Sequence, residues 1–468
     1  MSRVKKAAAV VLVGLSVSAA GLAGVWAEKG VRGPAPGLTV SGGGARAQDW
    51  TRGFGAMYEE LLANLIMPNK FFSTRHAQPG PAWPDDVYLW DTAFVAEVWR
   101  LWDVDTAQEI TRAVLDHAKR GRLQHAVGAD EYYQDTQPPV MAWAVRRLYL
   151  AGHDRAYLAY AYPILKDYNR WLYDNRRLSG GLFFWVHPYE SGMDNSPRFA
   201  NQNVSRTADM KNLAAIDLSS YMALQNAALA AMARELAMPR DEELFTARAE
   251  ELKKLINDNL WDEADGLYYD RDVKAGKLIR VKSVASLLPL FCAVPDAARA
   301  KRLRGHIMDP AEFNTPLPLP SVARNDPAFG KDMWRGPVWI NTAYMIVLGL
   351  EEYGYRDEAA DIAFRIVDNV YRNYRLTGEF YEYYDPDHDG VSELGRKNSL
   401  YKILTHNDKP KPHFVGWDGL VNNLVIERLM GCPAGGGPCA PNFPPAAGAM
   451  AFELGLPGRT EKIRLEIR

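Results

Sequence analysis

The sequence predicts an all-α protein in which an inner ring of helices is wrapped by an outer ring, with long loops gathered at one end. Three observations predict it. Some segments carry apolar residues at the helical period on one face with charges opposite, as in Ala359, Ile362, Ala363, Ile366, Val367 and Val370, or Tyr157, Tyr160, Ala161, Ile164, Tyr168 and Trp171. Others, at 340–350, 213–232 and 281–294, are apolar or small nearly all round, which marks helices buried on every side. The two kinds tend to alternate. Their connections also alternate: short turns with Pro, Gly or a capping Asp (Asp103, Asp154, Asp241, Asp296, Asp357), then long loops rich in aromatic and charged residues. Helices that alternate in direction put the long loops at one end, where a rigid scaffold usually carries its binding and catalytic groups.

In chain order, Arg3, Lys5 and Lys6 precede an apolar run from Ala7 to Ala27, the layout of an export signal, with Val25 and Ala27 at a cleavage position. The length of the run also suits a membrane anchor, and either reading places the body in the periplasm or outside the cell. Residues 28–49 are Gly/Pro-rich and read as a linker. Helices are expected at 50–67, 91–101, 106–120, 138–150, 155–176, 211–236, 241–260, 281–291, 296–307, 340–352, 357–374 and 416–429, which makes 50–431 one catalytic body. In the tail, 432–468, the stretches 452–456 and 463–467 alternate like the strands of a hairpin. Cys432 and Cys439 flank a Gly-rich turn and can pair in an oxidising compartment, whereas Cys292 sits in an apolar stretch as packing.

With 55 Lys and Arg against 57 Asp and Glu, the chain has no basic excess that would argue for nucleic acid. The nine His include no His-Glu-x-x-His spacing, and no Gly-rich phosphate loop is present. Asp385, Asp387 and Asp389, followed by Gly390, mimic the start of a calcium loop. Arg396 stands where its bidentate Glu belongs, so a solvated acidic turn is the simpler reading and calcium its rival. No cofactor is called for.

The long loops carry the chemistry. Gly192, Asn195 and Pro197 forbid regular structure around Asp194, which must therefore be displayed on a loop. Glu382, in the loop Gly378-Glu379-Phe380-Tyr381-Glu382, is a second carboxylate at the same end, with Glu379 as its rival. Two carboxylates facing each other across an aromatic-lined mouth are the equipment of glycoside hydrolysis, one protonating the leaving oxygen and one working from the opposite face. Candidate sugar contacts are Trp90, Asp91 and Phe94 in the first loop, Gln137 before Pro138 in the second, Glu190 in the third, Trp334, Arg335 and Trp339 in the fourth, and Trp417. Asp91 also suits the N-cap of its helix, and Gln137 can instead satisfy loop backbone. A polysaccharide lyase and a non-catalytic sugar-binding protein are the rival classes. A lyase needs a Tyr or His base and a group neutralising a uronate, which paired loop carboxylates fit poorly.

Trp90-Asp91, Gln137-Pro138-Pro139, Glu190-Ser191-Gly192-Met193-Asp194, Trp334-Arg335-Gly336-Pro337-Val338-Trp339 and Glu382-Tyr383-Tyr384-Asp385-Pro386 together resemble glycoside hydrolase family 63. The resemblance runs from Trp50 to Leu429 and is nearest in size to the compact bacterial mannosylglycerate hydrolase-like members, with trehalases more distant. It implies an (α/α)6 barrel and inversion at an α-glucoside or α-mannoside such as glucosyl- or mannosylglycerate. Asp194 then matches the general acid and Glu382 the general base, while Asp91, Gln137, Trp334, Arg335 and Trp339 match positions near the sugar. Met193 is expected to help keep Asp194 protonated by desolvating it.

Overall fold

Most segments with a helical period fold as helices close to where the pattern places them. The computed structural model describes residues 19–84, 86–128, 135–199, 209–397 and 400–467. The basic head and most of the apolar run read as an export signal lie outside these, as do Asp85, Tyr132, Tyr133 and Gln134. Among the described residues are 13 α-helices. The first seven are α1 (Ala19–Glu28), α2 (Ala45–Ala63), α3 (Leu89–Trp99), α4 (Val104–Leu115), α5 (Met141–Gly152), α6 (Arg155–Arg176) and α7 (Ile216–Glu235). The rest are α8 (Pro239–Asn259), α9 (Ala297–Ile307), α10 (Ile340–Glu352), α11 (Arg356–Thr377), α12 (Leu400–Leu404) and α13 (Leu420–Asn423), which runs on into a π-helical turn over Leu424–Leu429. No described helix is long and apolar enough to cross a membrane.

Three of the capping residues do what their position predicts. Asp103 accepts from the N–H groups of Asp105 and Thr106, Asp154 from Tyr157, and Asp296 from Arg299. Asp241 and Asp357 fall inside the first turns of α8 and α11, where a negative charge faces the unpaired amides.

Every residue of α3 is buried, and α7 and α10 are buried along most of their length. α3 packs on α5, α5 on α7, and α13 on both α3 and α10. The amphipathic α2, α4, α6, α8 and α11 pack outside these contacts and keep a wet face. α2 and α11, far apart in the chain, lie side by side, with Trp50 against Phe364 and Tyr371. Deep among the buried helices, Glu97 of α3 accepts from Arg100, from Arg147 at 2.7 Å and from the Tyr344 hydroxyl at 2.9 Å, while both guanidinium groups also reach Glu427.

Three expectations are corrected. The helix expected at 281–291 is a 3-10 turn, Val284–Ser286, followed by further turns. Pro289 supplies no N–H for a helical ladder, and the chain closes through shorter bonds such as Leu290 N–H to Leu287 C=O at 3.1 Å. Residues 28–49 are not a free linker. Lys29 donates to the Leu62 carbonyl at 2.6 Å, the strand Gly37–Gly42 forms, and α2 has already begun at Ala45. The tail strands Met450–Gly455 and Ile463–Ile467 do pair, and Gly37–Gly42 adds antiparallel to the outer side of the first, making three strands where a hairpin is expected. Cys432 and Cys439 are bonded to each other, and Cys292 is buried.

Candidate active site

The loop bearing Asp194 is held from both sides by local chemistry. Two 3-10 turns, Pro188–Ser191 and Pro197–Phe199, flank it. Gly192 takes φ +73°, and a Cβ there would stand 2.5 Å from the Trp90 ring, so only glycine lets the loop lie on that indole. The Asn195 amide donates to Asp332 at 3.1 Å and its carbonyl accepts from Trp334 N–H at 2.9 Å, which ties this loop to the fourth. Asp332 also accepts from the N–H of Lys397 at 2.6 Å.

Asp194 and Glu382 line one cavity of about 220 Å³, which brings together the two carboxylates that the sequence singles out. Trp90, Asp91, Gln137, Trp334, Trp339 and Trp417 line it with them. Its walls are aromatic: Trp334 and Trp339 stack with centroids 3.9 Å apart, and Trp90 lies 5.6 Å from Trp417. The Trp417 indole donates to the Glu382 carbonyl at 3.0 Å, and the neighbouring Asp418, fully buried, takes the Tyr384 hydroxyl at 2.6 Å.

Asp91 is the third residue of α3, not its N-cap, which is Tyr88. Burial pushes its carboxyl up to about 8, against the pull of its own N–H and with a smaller push from the charge of Glu382, so it carries a proton at neutral pH and can donate to a hydroxyl. Its oxygen lies 2.7 Å from where a Cβ on Gly416 would stand, so glycine at 416 leaves the space it fills. Gln137 sits just ahead of α5, its carbonyl accepting from Trp90 N–H at 3.3 Å and its amide against His125 at 3.2 Å. It thus serves loop backbone and lines the cavity at once.

Three candidates stand away from the cavity wall. Glu190 is completely buried, holding Arg176 at 2.6 Å and accepting from the N–H groups of Thr136 and Val186, so it is a loop anchor and not a sugar contact. Phe94 lies behind the wall against Trp90 and Trp143. Arg335 closes a turn through its carbonyl, which accepts from Gly330, and its side chain is not among the lining groups. Glu379 pairs with His413 at 3.0 Å and likewise does not line the cavity. Asp385, Asp387 and Asp389 face three different cations, Lys331, Arg324 and Arg372, and no group of acidic, His or Cys side chains fit to hold a metal occurs among the described residues. Met193 is buried, with Arg198 against its sulfur at 3.9 Å.

Sequence reasoning missed the cations. Arg396 grips Glu382 with two donors, at 2.9 and 3.2 Å, and Lys397 pairs with Asp194. Burial works against the charge on Arg396, but the charge and hydrogen bonds of Glu382 outweigh it and raise the guanidinium further. The one available signal was two consecutive cations shortly after Glu382. Trp83, Tyr88, Tyr189 and Phe414 also line the cavity.

Comparison with known proteins shows which family the chain is similar to. The family described as "Mannosylglycerate hydrolase MGH1-like glycoside hydrolase domain" matches residues 85–400. The chain is 27% identical over 430 residues to the mannosylglycerate hydrolase of Rubrobacter radiotolerans, covering 74% of this chain and 95% of that protein. It is 30% identical over 376 residues to that of Thermus thermophilus, covering 64% and 88%. Among solved structures it resembles a GH63 mannosylglycerate hydrolase from Thermus thermophilus in complex with glucose, with a TM-score of 0.63 at 27% identity over 78% of this chain and 98% of that one. The same enzyme in complex with Tris and D-glycerate gives 0.62 at 25% identity over 78% and 99%. The match spans most of the chain and all five long loops, and on that ground this protein belongs to the mannosylglycerate hydrolase-like family of GH63 and is a glycoside hydrolase.

Proposed function

We propose that the protein hydrolyses an α-glycosidic bond with inversion, Asp194 protonating the leaving oxygen and Glu382 activating the water. The observation that carries this is the convergence of the two carboxylates, from separate loops, on one aromatic-lined cavity. Glu382, held by the two-pronged Arg396, suits the partner that must stay ionised. Asp91, neutral at pH 7, donates to a sugar hydroxyl while the indoles stack on the C–H faces of the ring. The substrate is an α-mannoside or α-glucoside of a small hydroxy acid such as glycerate, on the strength of the relatives' names and of the glucose and D-glycerate in their complexes. The scaffold is an (α/α)6 toroid. Residues 1–27 direct export to the periplasm or beyond, in keeping with the bonded Cys432 and Cys439.

The test is incubation with α-mannosyl- and α-glucosylglycerate, reading the anomer of the released sugar by NMR. Release of the β-anomer first is expected, and first release of the α-anomer overturns inversion. Asp194→Asn and Glu382→Gln are each expected to lower kcat by about 10³-fold while the protein still folds. Near-normal activity in either variant removes that residue from the mechanism. An unsaturated product absorbing in the ultraviolet, or saturable binding with no turnover, favours a lyase or a binding protein.

A further inference from the structure

Arg396 and Lys397 are consecutive cations, and each holds one of the two proposed catalytic carboxylates. They hold them in different ways. The planar Arg396 fork meets both oxygens of Glu382 and lies over the Trp83 ring at 5.8 Å, a fixed arrangement that holds the carboxylate in place. Lys397 offers one point charge on a flexible stem. Its ammonium donates to Oδ2 of Asp194 and lies 4.0 Å over the ring of Tyr189, while its backbone N–H is pinned by Asp332. Glu382 gains from such a partner. Asp194 does not, because an oxygen that accepts from an ammonium has no proton of its own to give the leaving group. The ammonium must therefore move off before Oδ2 can act as the acid, and something has to receive it. The two side chains are only about a sixth to a fifth exposed (17% and 20%), so a substrate in the cavity is better placed than water to do so.

We propose that Lys397 is a positioning and specificity residue: the carboxylate of an anionic aglycone takes over its ammonium and thereby frees Asp194 to work as the acid. The inference rests on the reading of Asp194 given above. Freed, Asp194 takes a proton from solvent and passes it to the glycosidic oxygen as the C–O bond breaks. Glu382 takes a proton from the attacking water as the new C–O bond forms and returns it to solvent. A neutral aglycone leaves the Lys397–Asp194 pair closed. Besides Lys397, the charges of Arg396 and Lys402 act on Asp194. Selection for a charged aglycone then comes through kcat as well as through binding.

The experiment is steady-state kinetics of the full chain on α-mannosylglycerate, or the glucosyl compound if that is the better substrate, and on its uncharged amide. Wild type is expected to turn over the amide with a kcat/KM about 100-fold lower, part of the loss lying in kcat. Lys397→Met is expected to lower kcat/KM on the acid about 100-fold, mostly through KM, and to raise kcat on the amide about tenfold. Lys397→Arg keeps the charge that favours the acid in KM but, gripping Asp194 as Arg396 grips Glu382, is expected to lower kcat on both compounds. Equal losses on acid and amide in Lys397→Met show a merely structural role and overturn the proposal, as do unchanged kinetics on both. Equal wild-type turnover of acid and amide overturns it without any variant, and if Lys397→Met does not fold, that comparison and Lys397→Arg decide. An inactive Asp194→Asn beside an indifferent Lys397→Met sinks the Lys397 proposal alone. An active Asp194→Asn, or no wild-type turnover of either compound, sinks the proposed function with it.

Discussion

Asp91 is a buried carboxyl within reach of the Glu382 charge, and together these lift it from 3.8 to about 8. In the unfolded chain the group ionises near the lower value, so between the two the folded state holds a proton that the unfolded state has released. Stability tied to Asp91 is thus complete below pH 4 and is lost as pH rises toward 8. Asp91→Asn removes that loss. The difference in melting temperature between variant and wild type is expected to grow from pH 4 to pH 8 and then level off, and a flat difference across that range contradicts the shift. The carboxylates themselves were legible in the sequence because a Gly- and Pro-broken loop leaves a polar side chain little to do but face solvent or a ligand. Arg396 and Lys397 were not, because their partners lie on other loops, and nothing local distinguishes a cation that reaches into a cavity from one on a wet surface. Glu190 misled for the same reason: proximity to Asp194 in sequence put it in the site, whereas Arg176 holds it in the interior.

Among the elements, the Asp194 loop is the one whose shape the site needs most. Gly192→Ala puts a methyl into the Trp90 indole and asks an L-residue to keep a positive φ. A loss of about 1–3 kcal/mol in denaturant unfolding is expected, with a fall in kcat, since both Trp90 and Asp194 are displaced. Wild-type kcat in that variant would mean that the loop tolerates the shift. Helices with a clean period were readable from the sequence alone, because the buried face repeats within the segment. The failures lie where a distant partner decides. Pro289 breaks an apolar stretch into turns that stay buried by packing against their neighbours, such as Gly349 of α10. The strand Gly37–Gly42 looks like a linker until its mate, Met450–Gly455, is known.

At the scale of the molecule, the buried Glu97 joins α3 to α5 and α10 through Arg147 and Tyr344 and, through Arg100 and Arg147, to Glu427 beyond α13. Removing one member leaves charges in the interior without a counterion. Glu97→Ala is expected to cost about 3–5 kcal/mol in chemical unfolding, far more than any of the exposed ion pairs, and a loss below about 1 kcal/mol would show that water or Glu427 alone compensates the two arginines. The division into buried and half-wet helices was foreseen from their apolar patterning, whereas this charged centre was not, since an acidic residue in an apolar helix gives no hint of which cations will meet it.

The pairing of Gly37–Gly42 with Met450–Gly455 has a temporal corollary. On the ribosome, the early strand is made long before the backbone it pairs with, so its amides face water until Met450–Gly455 has emerged. The seam between these two strands therefore cannot close until the helices that separate them in the sequence have been made.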